Sequence, residues 1–354
     1  MDDLRRHVGD LSQLASARAI RLTDGNEDGV RAIDVRVQGG IHALVLVDRG
    51  LDIGPAWYAG QPLAWQSPTG IVHPAYFREE VWLRSFHGGL LVTCGLQNVG
   101  DPNVDEGVSH GLHGRVSNIP ARDVTYRVEE DPLAVVVSGE VRETDVYGAD
   151  LLLRRTLRFP ADRGLIEIED EVINQGYAPT VLMLLYHFNP GYPIVADGAR
   201  LIAPPATVVG RDDASRDRVA EHDRFGPPTE GFPPTVYEHR LADPGALWAT
   251  IGIVNAAHPP TDGIALSVTF QPRQLPFLWQ WRMLAPGMYL TGLEPSNCGM
   301  RGRAIEREAG AVDVLPPSAT RRFNVRLEAL IGPAAQSFGS EASGGSQATG
   351  SAGT

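Results

Sequence analysis

Lysine is missing from this chain: all 31 basic residues among its 354 are arginine. Without a lysine amine there is no Schiff-base aldolase, no pyridoxal-phosphate enzyme and no Walker-type phosphate loop. A GC-rich coding sequence would produce the same bias, and the exclusion holds whatever its origin. Cysteine is nearly missing too. Cys94 and Cys298 are too few for a disulfide framework or a zinc finger, and neither has a base partner nearby in sequence, so both read as inert thiols. No apolar run approaches the roughly 20 residues of a membrane span. The opening Met1-Asp2-Asp3-Leu4-Arg5-Arg6 lacks the apolar stretch of a signal peptide, and a cytoplasmic location is expected. Positive charge is in deficit: a net charge of −12 works against binding nucleic acid or an anionic membrane. Also absent are βαβ alternation and a G-x-G-x-x-G after a strand, which argues against a dinucleotide fold.

What remains is an ordinary globular composition, 43% hydrophobic, with strand signals nearly throughout. In Leu165–Ile173, Ile166, Ile168 and Val172 alternate with Glu167, Glu169 and Glu171. In Arg322–Leu330, Phe323, Val325, Leu327 and Ala329 oppose Arg322, Asn324, Arg326 and Glu328. Period-two patterns of this kind mark half-buried antiparallel strands. Leu151–Phe159 follows the same rule, with Arg155 on the apolar face beside Leu153, Leu157 and Phe159. Val135–Val141, Val181–His187, Ala265–Phe270, Phe277–Met283 and Met288–Leu293 are further strands, several apolar enough to be central. The 39 glycines and 27 prolines are spread along the chain, as many short strands joined by tight turns require. The expected layout is a lead-in over residues 1–19, helical in part, then one large β-domain over 20–332. A Gly/Ser/Ala tail over 333–354 is expected to be disordered. Arg211 to Pro234 reads as a long loop or a short helix with a loop.

Polar residues gather at the ends of these strands. Ser109-His110-Gly111-Leu112-His113-Gly114-Arg115 places His113 and Arg115 on one face if extended, as donors for hydroxyls or an anion. His187 ends a very apolar strand and continues into Phe188-Asn189-Pro190, with Asn189 on its own face. A histidine there is partly desolvated yet within reach of a ligand, though a core histidine held by backbone reads the same way. Glu294 precedes Pro295, where pairing should cease, and is either a base at a cavity rim or a solvated charge. Trp279 and Trp281 share one face of their strand, Gln280 and Arg282 the other, and either face suits a sugar or a core. Arg49 lies in the charged turn Val47–Gly54 and His87 beside Gly88-Gly89. Both are candidate ligand contacts, with a salt-bridged turn the simpler account of the first.

Taken in order, these segments resemble the aldose 1-epimerase (galactose mutarotase-like) superfamily over roughly residues 20–332, and in particular an uncharacterised epimerase-like branch. Gly88-Gly89-Leu90 followed by His113-Gly114-Arg115 is similar to a tract of the hexose-phosphate epimerase branch. Tyr186-His187-Phe188-Asn189 resembles the segment of the general-acid histidine, and Leu293-Glu294-Pro295 that of the general-base glutamate. The resemblance implies a large antiparallel β-sandwich with few short helices. It implies an isomerase acting on a small-molecule sugar, with no cofactor and with a homodimer allowed. His187 and Glu294 would be catalytic, and His113, Arg115, Arg49, His87, Asn189, Gln280 and Arg282 would bind substrate. Ionised Glu294 would take the anomeric proton while protonated His187 gives one to the ring oxygen. The family's hydroxyl-binding aspartate has no clear counterpart, Asp212, Asp213 and Asp217 being candidates. Two other readings stay open. His110, His113, His187 and Glu294 could bind a divalent metal in a sugar isomerase or β-eliminating lyase, or the domain could bind carbohydrate without catalysis.

Overall fold

The computed structural model describes residues 5–344. Two large antiparallel sheets pack face to face, joined by short 3₁₀ turns and a few short helices. The first sheet contains, from one edge, Ala15–Arg21, Arg31–Val37, His42–Leu46, Asp52–Tyr58, Leu91–Leu96, Thr180–Phe188, Met288–Ser296, Phe277–Ala285, Thr235–Leu241 and Ala206–Gly210. The second contains a meander from Arg122 to Asn174, followed in space by Thr320–Ile331, Ile264–Phe270, Ala249–Asn255 and Arg200–Ile202. This is the expected β-sandwich. The alternating segments behave as their pattern requires: Ile166, Ile168, Val172, Phe323, Val325 and Leu327 are buried between the sheets.

Thr180–Phe188 does not alternate, because both of its faces are covered. Leu182, Leu184, Tyr186 and Phe188 point into the space between the sheets. Val181, Met183 and Leu185 point the other way, into a second apolar cluster with Val92, Cys94, Trp279 and Leu290, roofed by Trp65, Trp82 and Phe86. Beneath this strand Arg155 is fully buried, which accounts for an arginine on an apolar face. Its guanidinium donates to Asp52 Oδ1 at 2.8 Å and Asp170 Oδ2 at 2.7 Å, and the Tyr186 hydroxyl donates to Asp170 Oδ2 at 2.7 Å. Both cysteines are buried and unpaired.

Three boundaries differ from expectation. Among the described residues of the lead-in, Arg5 is helical and Leu11–Gln13 forms a 3₁₀ turn, and the first strand begins already at Ala15 because the segment from there to Arg21 finds an edge partner in Arg31–Val37. Pro333–Gly344 is a helix rather than a disordered tail. Its Ala335 and Phe338 have an apolar seat on Val254 and Ala265. The rest of the expected tail lies outside the described residues. The strand bearing Glu294 continues through Pro295 to Ser296, and its ladder with Thr180–Phe188 pairs Leu293 and Ser296 but not Pro295, which has no N–H to give. The Arg211–Pro234 segment holds a short helix, Asp213–Asp217, and a 3₁₀ turn within a loop. Among the described residues, no helix is long and apolar enough to cross a membrane.

Candidate active site

Strand register builds the centre of the site. Phe188 pairs with Leu293 and Leu185 with Ser296, so His187 and Glu294 lie directly across from each other on neighbouring strands, both on the face away from the second sheet. Cross-strand neighbours of this kind have Cβ atoms about 5 Å apart, and here His187 Nε2 comes within 3.3 Å of Glu294 Oε1. On the next strand Trp281 lies opposite Gly292 and Trp279 opposite Glu294. Gly292 is required by the close approach. A Cβ there would fall 2.1 Å from Glu294 Oε1 and 3.2 Å from His187 Cε1, so the carboxyl curls back over the glycine into space no other residue would leave free.

A cover closes over this floor. Trp82 and Phe86 stack at 5.0 Å, and Phe86 meets the His187 ring edge-on at 5.4 Å. His113 packs on Trp82 at 5.1 Å and is perpendicular to His187 at 6.1 Å. The Gly100 amide donates to His113 Nδ1 at 3.3 Å, so the neutral ring carries its proton on Nε2. Together with Leu83, Leu112, Arg211, Val236, Trp281 and Met300, these groups enclose a cavity of about 200 Å³. Its walls are aromatic and apolar, and its polar groups converge on one end, as small-molecule sites do.

Burial disfavours charge on the carboxyl and on both imidazoles. Burial pushes the Glu294 carboxyl up to about 8, partly offset by the Trp281 backbone amide and the charge of Arg211. Burial, helped by neighbouring His113, pulls His187 down to about 3. His113 is lowered to about 4 by burial and then by Arg211. His187 Nδ1 and both Glu294 oxygens are buried without a hydrogen-bond partner of normal geometry among the described residues. Unsatisfied polar atoms at the bottom of a cavity are poised for a ligand that supplies the missing donors and acceptors.

Residues 27–329 match the model of a family described as a domain of unknown function, DUF4432. The chain belongs to that family. No curated protein matches it. Among solved structures, a Klebsiella pneumoniae protein provisionally called an aldose 1-epimerase superposes with a TM-score of 0.86 at 24% identity, over 97% of this chain and 90% of its own. A galactose mutarotase-like protein from Clostridium acetobutylicum gives 0.61 at 12% identity, over 90% and 99%. Galactose 1-epimerase from Lactobacillus acidophilus gives 0.57 at 13%, over 90% and 99%. The DUF4432 chain therefore has the galactose mutarotase-like fold, as the sequence resemblance implied.

Of the residues singled out in the sequence, the fold brings His113, His187, Glu294 and Trp281 to one cavity. The others serve elsewhere. Arg49 is buried, with its guanidinium donating to the carbonyls of Ser117, Val72 and Ser85 at 2.9, 2.9 and 2.7 Å, so its fork is spent on backbone. The charges of its turn pair across the chain instead, Asp48 with Arg31 and Asp52 with Arg155. Arg115 does not share a strand face with His113. His113 sits in a left-handed turn, φ 56°, and Arg115 turns away to Glu143 at 3.1 Å and Asp145 at 2.9 Å. Gln280 and Arg282 lie on the opposite face of their strand. Gln280 bridges His239 and the carbonyl of His222, while Arg282 donates to the carbonyl of Arg224 beneath Phe225 and Phe232. His87 is buried and does not line the cavity. Asn189 is fully buried and its amide donates to the carbonyl of His187 at 2.9 Å, which makes it a neighbour of the site rather than a substrate contact.

The four-residue metal set does not assemble. His110 faces grooves lined by Glu79, Glu80 and Arg84 on one side and by Asp105 and Asp145 on another, and no three His, Cys, Asp or Glu converge as a metal centre among the described residues. The aspartates also have other work. Asp212 caps the helix after it through the amide of Ser215, Asp213 pairs with Arg216, and neither they nor Asp217 line the cavity. Sequence reading missed Arg211, Trp82 and Phe86. For the two aromatics a signal exists, because Trp82 and Phe86 are four apart in a short aromatic-bearing segment between polar residues. For Arg211 there is none beyond its place at the head of a charged run.

Proposed function

We propose that this protein interconverts the anomers of a sugar by general acid and base catalysis, with His187 and Glu294 as the catalytic pair. The observation that carries the reading is the register: a buried imidazole and a buried carboxyl face each other at 3.3 Å on the floor of a sugar-sized aromatic cavity. The pair holds one proton. Burial favours the neutral arrangement, with the proton on Glu294, over the ionised carboxylate and imidazolium expected from the sequence. In the ring-opening step Glu294 gives its proton to the ring oxygen and His187 Nε2 takes the proton of the anomeric hydroxyl. The bond from C1 to the ring oxygen breaks and a carbonyl forms at C1. Rotation about C1–C2 presents the other carbonyl face, and the two protons return along the same paths to close the other anomer. Each proton transfer of this kind contributes about 10² to 10⁴-fold. His113, which lines the cavity with its proton on Nε2, would donate to a hydroxyl, and Trp281 would support the sugar's C–H face. The reaction needs no cofactor.

The test is anomer exchange measured by NMR saturation transfer across a panel of neutral and acidic sugars, with Glu294→Gln alongside. Exchange accelerated by the native protein and lost in the variant is the expected result. A protein that binds a sugar yet leaves its exchange at the solvent rate, in native and variant alike, would sink the reading in favour of a non-catalytic binding module.

A further inference from the structure

Arg49, Arg115 and Arg282 are the arginines that the sequence offers for an anionic sugar, and the fold places all three outside the cavity: Arg49 and Arg115 are bonded elsewhere, and Arg282 lines a separate groove on the other face of its strand. Arg211 takes their place. It is the one permanent cation among the described residues that line the cavity, and its charge acts on both Glu294 and His113. It leaves the end of Ala206–Gly210 just before the helix Asp213–Asp217, anchored by its own amide on the carbonyl of Val236. Its Nη2 pairs with Asp101 from the opposite loop, whereas its Nε and Nη1 have no partner among the described residues. Asp101 is half exposed, so this counter-ion is a solvated one. A guanidinium held in this way, with part of its fork unused, is shaped for a planar carboxylate.

We propose, building on the mutarotase reading, that the substrate is a sugar acid carrying a single negative charge, whose carboxylate is bound by Arg211. The rest of the cavity agrees. The only carboxyl among its described lining residues, Glu294, is held neutral by burial, so it does not repel an anion, and the other walls are aromatic and apolar. One arginine already shared with Asp101 offers enough charge for a monoanion and little for a doubly charged phosphate. Elsewhere the chain is acidic overall, with a net charge of −12, so acid recognition must come from this local cation and not from the general field.

Binding is measured by calorimetry and by saturation-transfer NMR on the full chain, with D-galacturonate and D-glucuronate as acids and D-galactose and D-glucose as neutral counterparts. A charge-assisted contact of this kind is worth about tenfold to a hundredfold in affinity. The native protein should favour at least one acid by that factor over its neutral counterpart, and Arg211→Gln should erase the preference, weakening the acid by that factor more than the neutral sugar. Asp101→Asn, which frees the guanidinium, should tighten acid binding instead. If the pair acts only as a clip between two loops, both variants will weaken acid and neutral sugar alike, and the proposal falls. Equal affinity for acid and neutral sugar in the native protein also overturns it, even where anomer exchange is fast and the mutarotase reading stands. Tight, Arg211-dependent binding of an acid whose anomers do not exchange would remove the mutarotase reading and keep this one.

Discussion

Replacing Glu294 by glutamine should make the protein more stable, by an amount that grows with pH. The side chain is fully buried, and its carboxyl is raised from 4.5 to about 8 in the folded state. A raised value means that the unfolded chain releases this proton more readily than the folded one. The stability associated with the neutral acid is therefore complete below pH 4.5 and is lost progressively as pH climbs through about 8. Each pH unit across that interval removes about 1.4 kcal/mol. The accumulated loss is on the order of 3 kcal/mol at pH 7 and roughly 5 kcal/mol above pH 8. Glutamine fills the same space, has no proton to lose and escapes this loss. Urea unfolding of both proteins at pH 5, 6, 7, 8 and 9 provides the comparison. Near pH 5 the two midpoints should nearly coincide, and the variant should draw ahead at each step until about pH 8. For a chain of this length, about 3 kcal/mol at pH 7 corresponds to about 4 °C in Tm. Stability curves that run parallel over the whole range would show that Glu294 keeps its charge in the folded protein, and would refute the neutral pair on which the proposed proton path depends.

The same pair shapes the pH profile of anomer exchange: a plateau whose alkaline limb near 8 reports loss of the Glu294 proton and whose acid limb near 3 reports protonation of His187. A profile centred on an ordinary histidine, falling through 6.5, would contradict that assignment. Gly292→Ala should leave the fold intact by circular dichroism but displace the Glu294 carboxyl, with exchange lowered by about 10²-fold or more; unchanged turnover would show that the carboxyl need not lie over Gly292. Arg155→Met strips the counter-ion from buried Asp52 and Asp170, and urea unfolding should register a loss of about 3–5 kcal/mol. On the acid side, His187 and His113 are held neutral at about 3 and 4, and His239 at about 4. Depressed values of this kind stabilise above 6.5 and lose that contribution as pH falls toward 4, so native protein and Glu294→Gln should share the same acid unfolding limb by fluorescence.

Much of this architecture was legible because strands write their faces into sequence with a period of two. Ile166, Ile168 and Val172 needed no tertiary information to be placed inside, and Arg155 could be seen on the wrong face, though not why. Its partners, Asp52 and Asp170, come from two other strands. Within the site, His187 and Glu294 stood out as polar residues closing apolar strands, and His113 as part of a glycine-flanked tract. Their shared cavity depends on a cross-strand register that no local pattern encodes. The arginines were the weakest part. A guanidinium looks equally available whether it ends on three backbone carbonyls, as Arg49 does, on an acidic pair some thirty residues away, as Arg115 does, or under two phenyl rings, as Arg282 does. Protonation was beyond reach for a related reason. The upward shift of the Glu294 carboxyl comes from burial in a cavity lined by Trp82 and Phe86, residues more than two hundred positions away in the chain.

Floor and cover of the cavity have separate origins in the chain, and they are free to change separately. His187, Gly292, Glu294 and Trp281 belong to interior strands of one sheet, where a shift of any one would disturb its neighbours on both sides. His113, Arg211, Trp82 and Phe86 come from turns and connections that only rest on that sheet. Under the proposed reaction, a descendant could exchange Arg211 or remodel the Trp82 segment, and so read a different sugar, without touching the pair assigned to proton transfer. Two such proteins could share a reaction and have no substrate in common.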